Sequence, residues 1–251
     1  LDNLKETVDA LKGKTKYSYD SRGNVTKMTD PLGNVYTYRY DKNGNNTGLT
    51  GPQGAEVTMK YDAAGQLIFA GDAQGLEVTY QYDAMGQVTR ESDNTGNSTD
   101  YTYDGAGNLT SRTDQIGRTT KYTYDKYGRL LEIKEADGSI TSYEYDVMDR
   151  LTAVTDAEGN RTEFAYDKAG NLLTMTEGEK AVYRYTYDKK NRVSSATDPI
   201  GAVRKFAYDG NDNLLEAVDE NGVKTTYEYD ANDNLVRQTD GNGNAVSYQY
   251  D

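Results

Sequence analysis

Forty-one Asp and Glu residues, with no His and no Cys, set the chemistry open to this chain of 251 residues. Two carboxylates flanking a substrate could hydrolyse a glycosidic bond, and clustered carboxylates could hold Ca²⁺ through roughly six to eight oxygens. The thiol nucleophile, the imidazole base and the commonest transition-metal ligands are missing from the composition. The acids are dispersed, because Asp recurs singly at turn positions, and equivalent turns of successive hairpins lie about 10 Å apart, too far to share an ion. An Asp in a turn caps its own backbone. We therefore expect no catalytic residue, no metal site and no cofactor. Gly-x-Gly pieces such as Gly241-Asn242-Gly243 lack the following helix that would cradle a phosphate.

The elements that carry these acids are set by one spacing. A Tyr-Asp pair begins at Tyr19, Tyr40, Tyr61, Tyr82, Tyr103, Tyr124, Tyr145, Tyr166, Tyr187, Tyr208, Tyr229 and Tyr250, always 21 residues apart. Such invariance marks a repeat array in which each unit packs only on its neighbours. Numbered from its Tyr, the unit reads Tyr-Asp-x-x-Gly-Asn-Leu at positions 1 to 7, Thr-Asp-x-x-Gly at 11 to 15 and Thr-x-Tyr at 18 to 20. Position 5 is Gly, Asn or Asp throughout, residues that tolerate positive φ. Position 15 is Gly33, Gly54, Gly75, Gly96, Gly117, Gly138, Gly159, Gly201, Gly222 and Gly243, with Lys180 the exception. Asp followed three residues later by Gly suits a type I turn closed by a left-handed residue. All three prolines, Pro31, Pro52 and Pro199, fall at position 13, where a φ near −65° fits the turn. At Lys180 the unusual backbone should move to Gly178, since Lys resists positive φ.

Two turns leave two short strands per repeat. Positions 18, 20 and the next 1 place Thr or Val beside two aromatics on one face, while 17, 19 and 21 are mostly polar. Position 20 accepts Met59, Phe164 and Phe206 in place of Tyr; position 1 never drops the hydroxyl. Position 7 is Leu or Val except at Asn46, which with Gly48, Gly51 and Met59 makes residues 40 to 60 the least regular repeat. The reading is all-β: residues 19–251 as eleven repeats in one continuous array, forming a long curved or spiralling antiparallel sheet. Residues 1–18 read as a degenerate first repeat, since Asp2, Asn3, Leu4, Asp9 and Tyr17 match the template. The alternative is a short amphipathic helix built on Leu1, Leu4, Val8 and Leu11.

A net charge of −13 and a mean hydropathy of −0.91 would suit a disordered chain. The 24 tyrosines argue otherwise, because each ring buries apolar area while its hydroxyl stays hydrogen-bonded. The acidic balance disfavours nucleic acid and other polyanions. No apolar run approaches the roughly 18 residues of a membrane span, so membrane insertion is not expected.

The Tyr-Asp-x-x-Gly-Asn-Leu-Thr and Thr-Asp-x-x-Gly pattern resembles, over essentially the whole chain, the YD or Rhs repeats of bacterial polymorphic toxins, Tc toxin C components, wall-associated toxin proteins and teneurins. The resemblance implies a sheet that spirals into a hollow shell, which in the toxins encloses a C-terminal toxic domain. The tyrosines and glycines named above would then be structural, and the partners would be other repeats and an effector domain of the same secreted or surface-delivered bacterial protein. Asp30-Pro31-Leu32-Gly33 and Asp198-Pro199-Ile200-Gly201 look like the self-cleavage motif of some Rhs cores, yet both sit in turn register with every other repeat. The rival reading is an adhesive or carbohydrate-binding surface fibre that presents its aromatic columns to sugars.

Overall fold

The computed structural model describes residues 3–250. Leu1 and Asp2, on which part of the helix and first-repeat readings rests, lie outside the described residues, as does Asp251. Two compact units are present. One runs up to Tyr124 and takes in Glu135–Asp137; the other comprises Asp125–Lys134 and the chain from Gly138 on.

Each unit is an antiparallel meander, and its construction follows from the first four strands. β1 (Glu6–Val8) pairs with β2 (Lys14–Tyr19), β2 with β3 (Val25–Thr29), and β3 with β4 (Val35–Tyr40). The first unit continues in this way to Thr119–Tyr124, and the second runs from Leu130–Lys134 to Ala245–Ser247. Only a three-residue 3-10 turn at Pro52–Gly54 is helical among the described residues, and no helix is long and apolar enough to cross a membrane. Residues 6–19 form the β1–β2 hairpin.

Both turns of a repeat have one geometry. Gly23 donates its amide to the Asp20 carbonyl and Asp20 to Asn24; ten residues on, Gly33 donates to Asp30 and Asp30 to Asn34. Type I turns closed by a left-handed residue make such three-residue loops. The two strands of the hairpin at a repeat's first turn pair through a bulge. Ser18 faces Lys27 and Tyr19 faces Val25, so Thr26 at position 8 is skipped. The same skip occurs at Thr110 and Ser194. The extra residue lets positions 7 and 10, three apart, both face the side that carries the tyrosines.

That face is half-buried in each unit. Ala153, on the polar face, is the sole fully buried apolar side chain among the described residues. The aromatic columns are therefore thinner packing elements than rings in a closed core. On the polar face, Arg161 reaches Glu144 across the intervening strand and also pairs with Glu163 on its own strand.

Candidate functional site

The recurring aspartates at positions 2 and 12 are committed to the turns. Asp20 Oδ1 accepts the backbone amides of Arg22 and Asn24, both at 2.9 Å, and its Oδ2 accepts the Asn24 side chain at 2.9 Å. The same three bonds recur at Asp41, Asp104, Asp167 and Asp230, and at position 12 in Asp30 and Asp240. The Asn24 side chain, helped by the turn amides, holds Asp20 below the usual carboxylate range. Asp93 is held lowest, at about 2, by the side chains of Asn97 and then Thr95. A general acid needs the opposite shift, produced by burial or a like charge. Carboxylates with this many donors stay ionised and have few lone pairs left for an ion.

The ten position-15 glycines all take positive φ, between 81° and 93°. A Cβ placed on Gly33, Gly117 or Gly222 would meet nothing within 4 Å. The constraint there is the left-handed backbone and not crowding. In the turn that ends at Lys180 the left-handed residue is Gly178, at φ 60°, and Lys180 is absent from the positive-φ set.

The position-1 tyrosines do more than pack. Tyr40 donates its hydroxyl to the Val25 carbonyl at 2.9 Å, joining one repeat to the one before it. The β3–β4 ladder stops at Lys27 facing Thr37, so the Val25 carbonyl lies past the last backbone donor on that side. Tyr19, Tyr82, Tyr103, Tyr166, Tyr187, Tyr229 and Tyr250 make the same bond to the position-7 carbonyl 15 residues upstream. Burial pushes the phenols of Tyr40, Tyr82, Tyr103, Tyr187 and Tyr229 above their ordinary value. Tyr61 instead donates to Met59 Sδ at 3.7 Å, and the repeat before it is the one where Asn46 replaces the position-7 aliphatic residue. Tyr145, Tyr166 and Tyr208 lie under the guanidinium groups of Arg129, Arg150 and Arg192, 5.1, 4.9 and 4.7 Å from the ring centres. Tyr124 makes no such contact among the described residues; burial raises its phenol as well.

Position 6 is the functional position that sequence reasoning passed over. Arg129 Nε donates to Asp125 Oδ2 at 2.7 Å, and its Nη1 reaches the Asp146 carbonyl at 2.9 Å in the next repeat. Arg150 and Arg192 repeat this with Asp167 and Asp209. The available signal was a residue limited to Asn, Gln or Arg in every repeat.

Turn caps, a tyrosine column and a position-6 column define a repeat protein whose polar groups serve the joints between units. The profile of the Teneurin YD-shell family matches residues 3–141, and the RHS repeat profile matches at 124–162, 145–182, 166–203, 208–245 and 229–251. The chain belongs to this YD-shell and RHS-repeat family. No curated protein matches it in sequence. Among solved structures, the TcdB2-TccC3-Cdc42 crystal structure is similar at 16% identity and a TM-score of 0.74, over 94% of this chain and 15% of that one. TcdB2-TccC3 is similar at 16% identity and a TM-score of 0.72, over 96% of this chain and 16% of that one. The Tc holotoxin pore of Photorhabdus luminescens follows at 15% identity and a TM-score of 0.53, over 90% and 17%. At these identities the likeness is one of fold, and the chain spans about a sixth of the length of the proteins it resembles.

Proposed function

We propose that this chain is non-catalytic wall material: a segment of a β-shell, in a larger secreted or surface-delivered bacterial toxin-like protein, that encloses or displays a C-terminal effector domain. In this reading residues 19–251 are one continuous array and residues 1–18 a partial first repeat. The observation that carries it is the hydroxyl column, in which Tyr40, Tyr103, Tyr187 and five further position-1 tyrosines bind the preceding repeat through its position-7 carbonyl. A side chain used in the same way in most repeats serves continuity of the wall, whereas a binding site needs a local exception. The tyrosines and left-handed glycines are then structural residues. The partners are neighbouring repeats and the effector of the same chain, with no cofactor, no nucleic acid and no membrane insertion. The test is the parent reading frame. Further repeats followed by a domain of unrelated composition are expected; a frame that closes soon after Asp251 without one would eliminate enclosure and leave a glycan-binding fibre, which an array of immobilised glycans would then reveal.

A further inference from the structure

The first turns of successive repeats meet side chain to side chain, and the pairing follows a rule. Position 5 is left-handed, yet in four repeats it is not Gly: Asp149, Asn191, Asp212 and Asp233 have φ of 63°, 61°, 75° and 63°. In all four the side-chain oxygen accepts a bond from position 6 of the preceding repeat. The donors are Arg129 at 2.7 Å, Asn171 at 2.9 Å, Arg192 at 2.7 Å and Asn213 at 2.7 Å. Each donor is also tied to the Asp of its own turn, Arg129 to Asp125 and Asn213 to Asp209, so it is oriented before the next repeat meets it. Where position 6 is Gln, the end of its side chain crowds the following position 5. A Cβ on Gly86 would lie 2.9 Å from Gln66 Nε2, and one on Gly107 3.3 Å from Gln87 Nε2.

We propose that position 6 is a specificity-determining residue that selects which repeat can dock after it. Arg or Asn admits a following turn with Asp, Asn or Gly at position 5; Gln admits only Gly. The surface it recognises is the first turn of another repeat, read through a left-handed residue that presents a side-chain oxygen. A non-Gly residue in that conformation carries a backbone penalty, and the bond from the preceding repeat offsets it. Near-identical repeats are consequently not interchangeable, and their order is written in residue pairs 20 positions apart.

A reciprocal rescue in the full chain tests this. Gly86→Asp faces Gln66 and should lower hydrogen-exchange protection of the turn amides of Asp83 and Gly86 by about tenfold, the equivalent of about 1.4 kcal/mol. Adding Gln66→Arg should restore protection to within about threefold. In the second unit, Arg129→Gln should loosen the turn at Asp149, and adding Asp149→Gly should recover it. Gly170→Asp, which follows Arg150, should be tolerated as a single change. Asp and Asn tolerate positive φ on their own account, so purely intrinsic preference predicts that Gly86→Asp and Gly170→Asp behave alike and that neither second change rescues. Additive losses in both pairs, or a harmless Gly86→Asp beside Gln66, would overturn the rule.

Discussion

Replacing Tyr103 by Phe deletes one hydroxyl and leaves the ring. That hydroxyl donates to the Val88 carbonyl at 2.9 Å. The neighbouring ladder ends at Asp100 facing Arg90, so no backbone amide of that strand takes its place. A hydrogen bond of this kind contributes a net ~0.5–1.5 kcal/mol, and an acceptor left unpaired in a buried setting costs more. Because the face is only half-buried, water can reach the freed carbonyl, which places the expected loss near 1 kcal/mol. Tyr101 lies two residues away on the same face, at a position where Phe164 and Phe206 stand in other repeats. Tyr101→Phe should therefore change stability by less than about 0.5 kcal/mol. Urea unfolding would show the difference, and hydrogen exchange of strand Ser98–Tyr103 would localise it, since a repeat array need not unfold in one step. Alkali supplies an independent arm. Burial raises the Tyr103 phenol in the folded chain, so the bond's contribution is complete below the unfolded value near 10 and fades as pH rises through the folded one. Tyr103→Phe should reduce the slope of stability against pH above that point. Equal losses from Tyr103→Phe and Tyr101→Phe, with unchanged alkaline slopes, would refute the reasoning.

Three further outcomes are expected. Gln87 Oε1 is buried without a partner, and an Asn at position 6 bonds its own turn carboxylate, as Asn108 does with Asp104; Gln87→Asn should raise the urea midpoint by the equivalent of about 1 kcal/mol. The capping carboxylates are shifted down, so their contribution is present above the unfolded value near 4 and is lost as pH falls through the folded values, down to about 2 for Asp93; a far-UV circular dichroism titration should find the sheet intact at pH 5 and loosening below pH 4. Gly178→Ala should destabilise by about 1 kcal/mol because it places a Cβ at φ 60°, while Lys180→Gly should bring no gain, both read from urea midpoints.

Turns were the legible part of this fold. Asp, Pro and Gly act within five residues of one another, so the loop geometry is written locally, down to the transfer of the left-handed residue from position 15 to Gly178. The bulge was less visible, although the period announces it. Two identical turns and two equal strands give an even repeat length, and 21 is odd. One strand must carry an extra residue, and it is position 8, next to the position-7 residue that faces Tyr at the register shift. What local pattern could not supply was the target of each polar group. The fixed hydroxyl at position 1, beside a dispensable one at position 20, signalled a bond, but its acceptor lies 15 residues upstream across a strand junction. The partner of position 6 lies 20 residues downstream, and its donor geometry depends on the register of two hairpins.

A sheet with one half-buried face and no fully buried side chain larger than Ala153 among its described residues cannot rest on a hydrophobic core alone. Its stability has to come from leaving few backbone groups unsatisfied at each joint, because every strand end and every turn is a place where the ladder stops. The repeat supplies residues for these places: Asp for the turn amides, Tyr for the carbonyl beside the bulge in most repeats, and Asn or Arg for the next turn. Every one of these bonds stays inside a repeat or reaches only the adjoining one. Stability then accumulates repeat by repeat, with no optimum length and no centre. A chain built on that principle can vary its extent without redesign, which is the property a wall requires and a catalytic pocket does not.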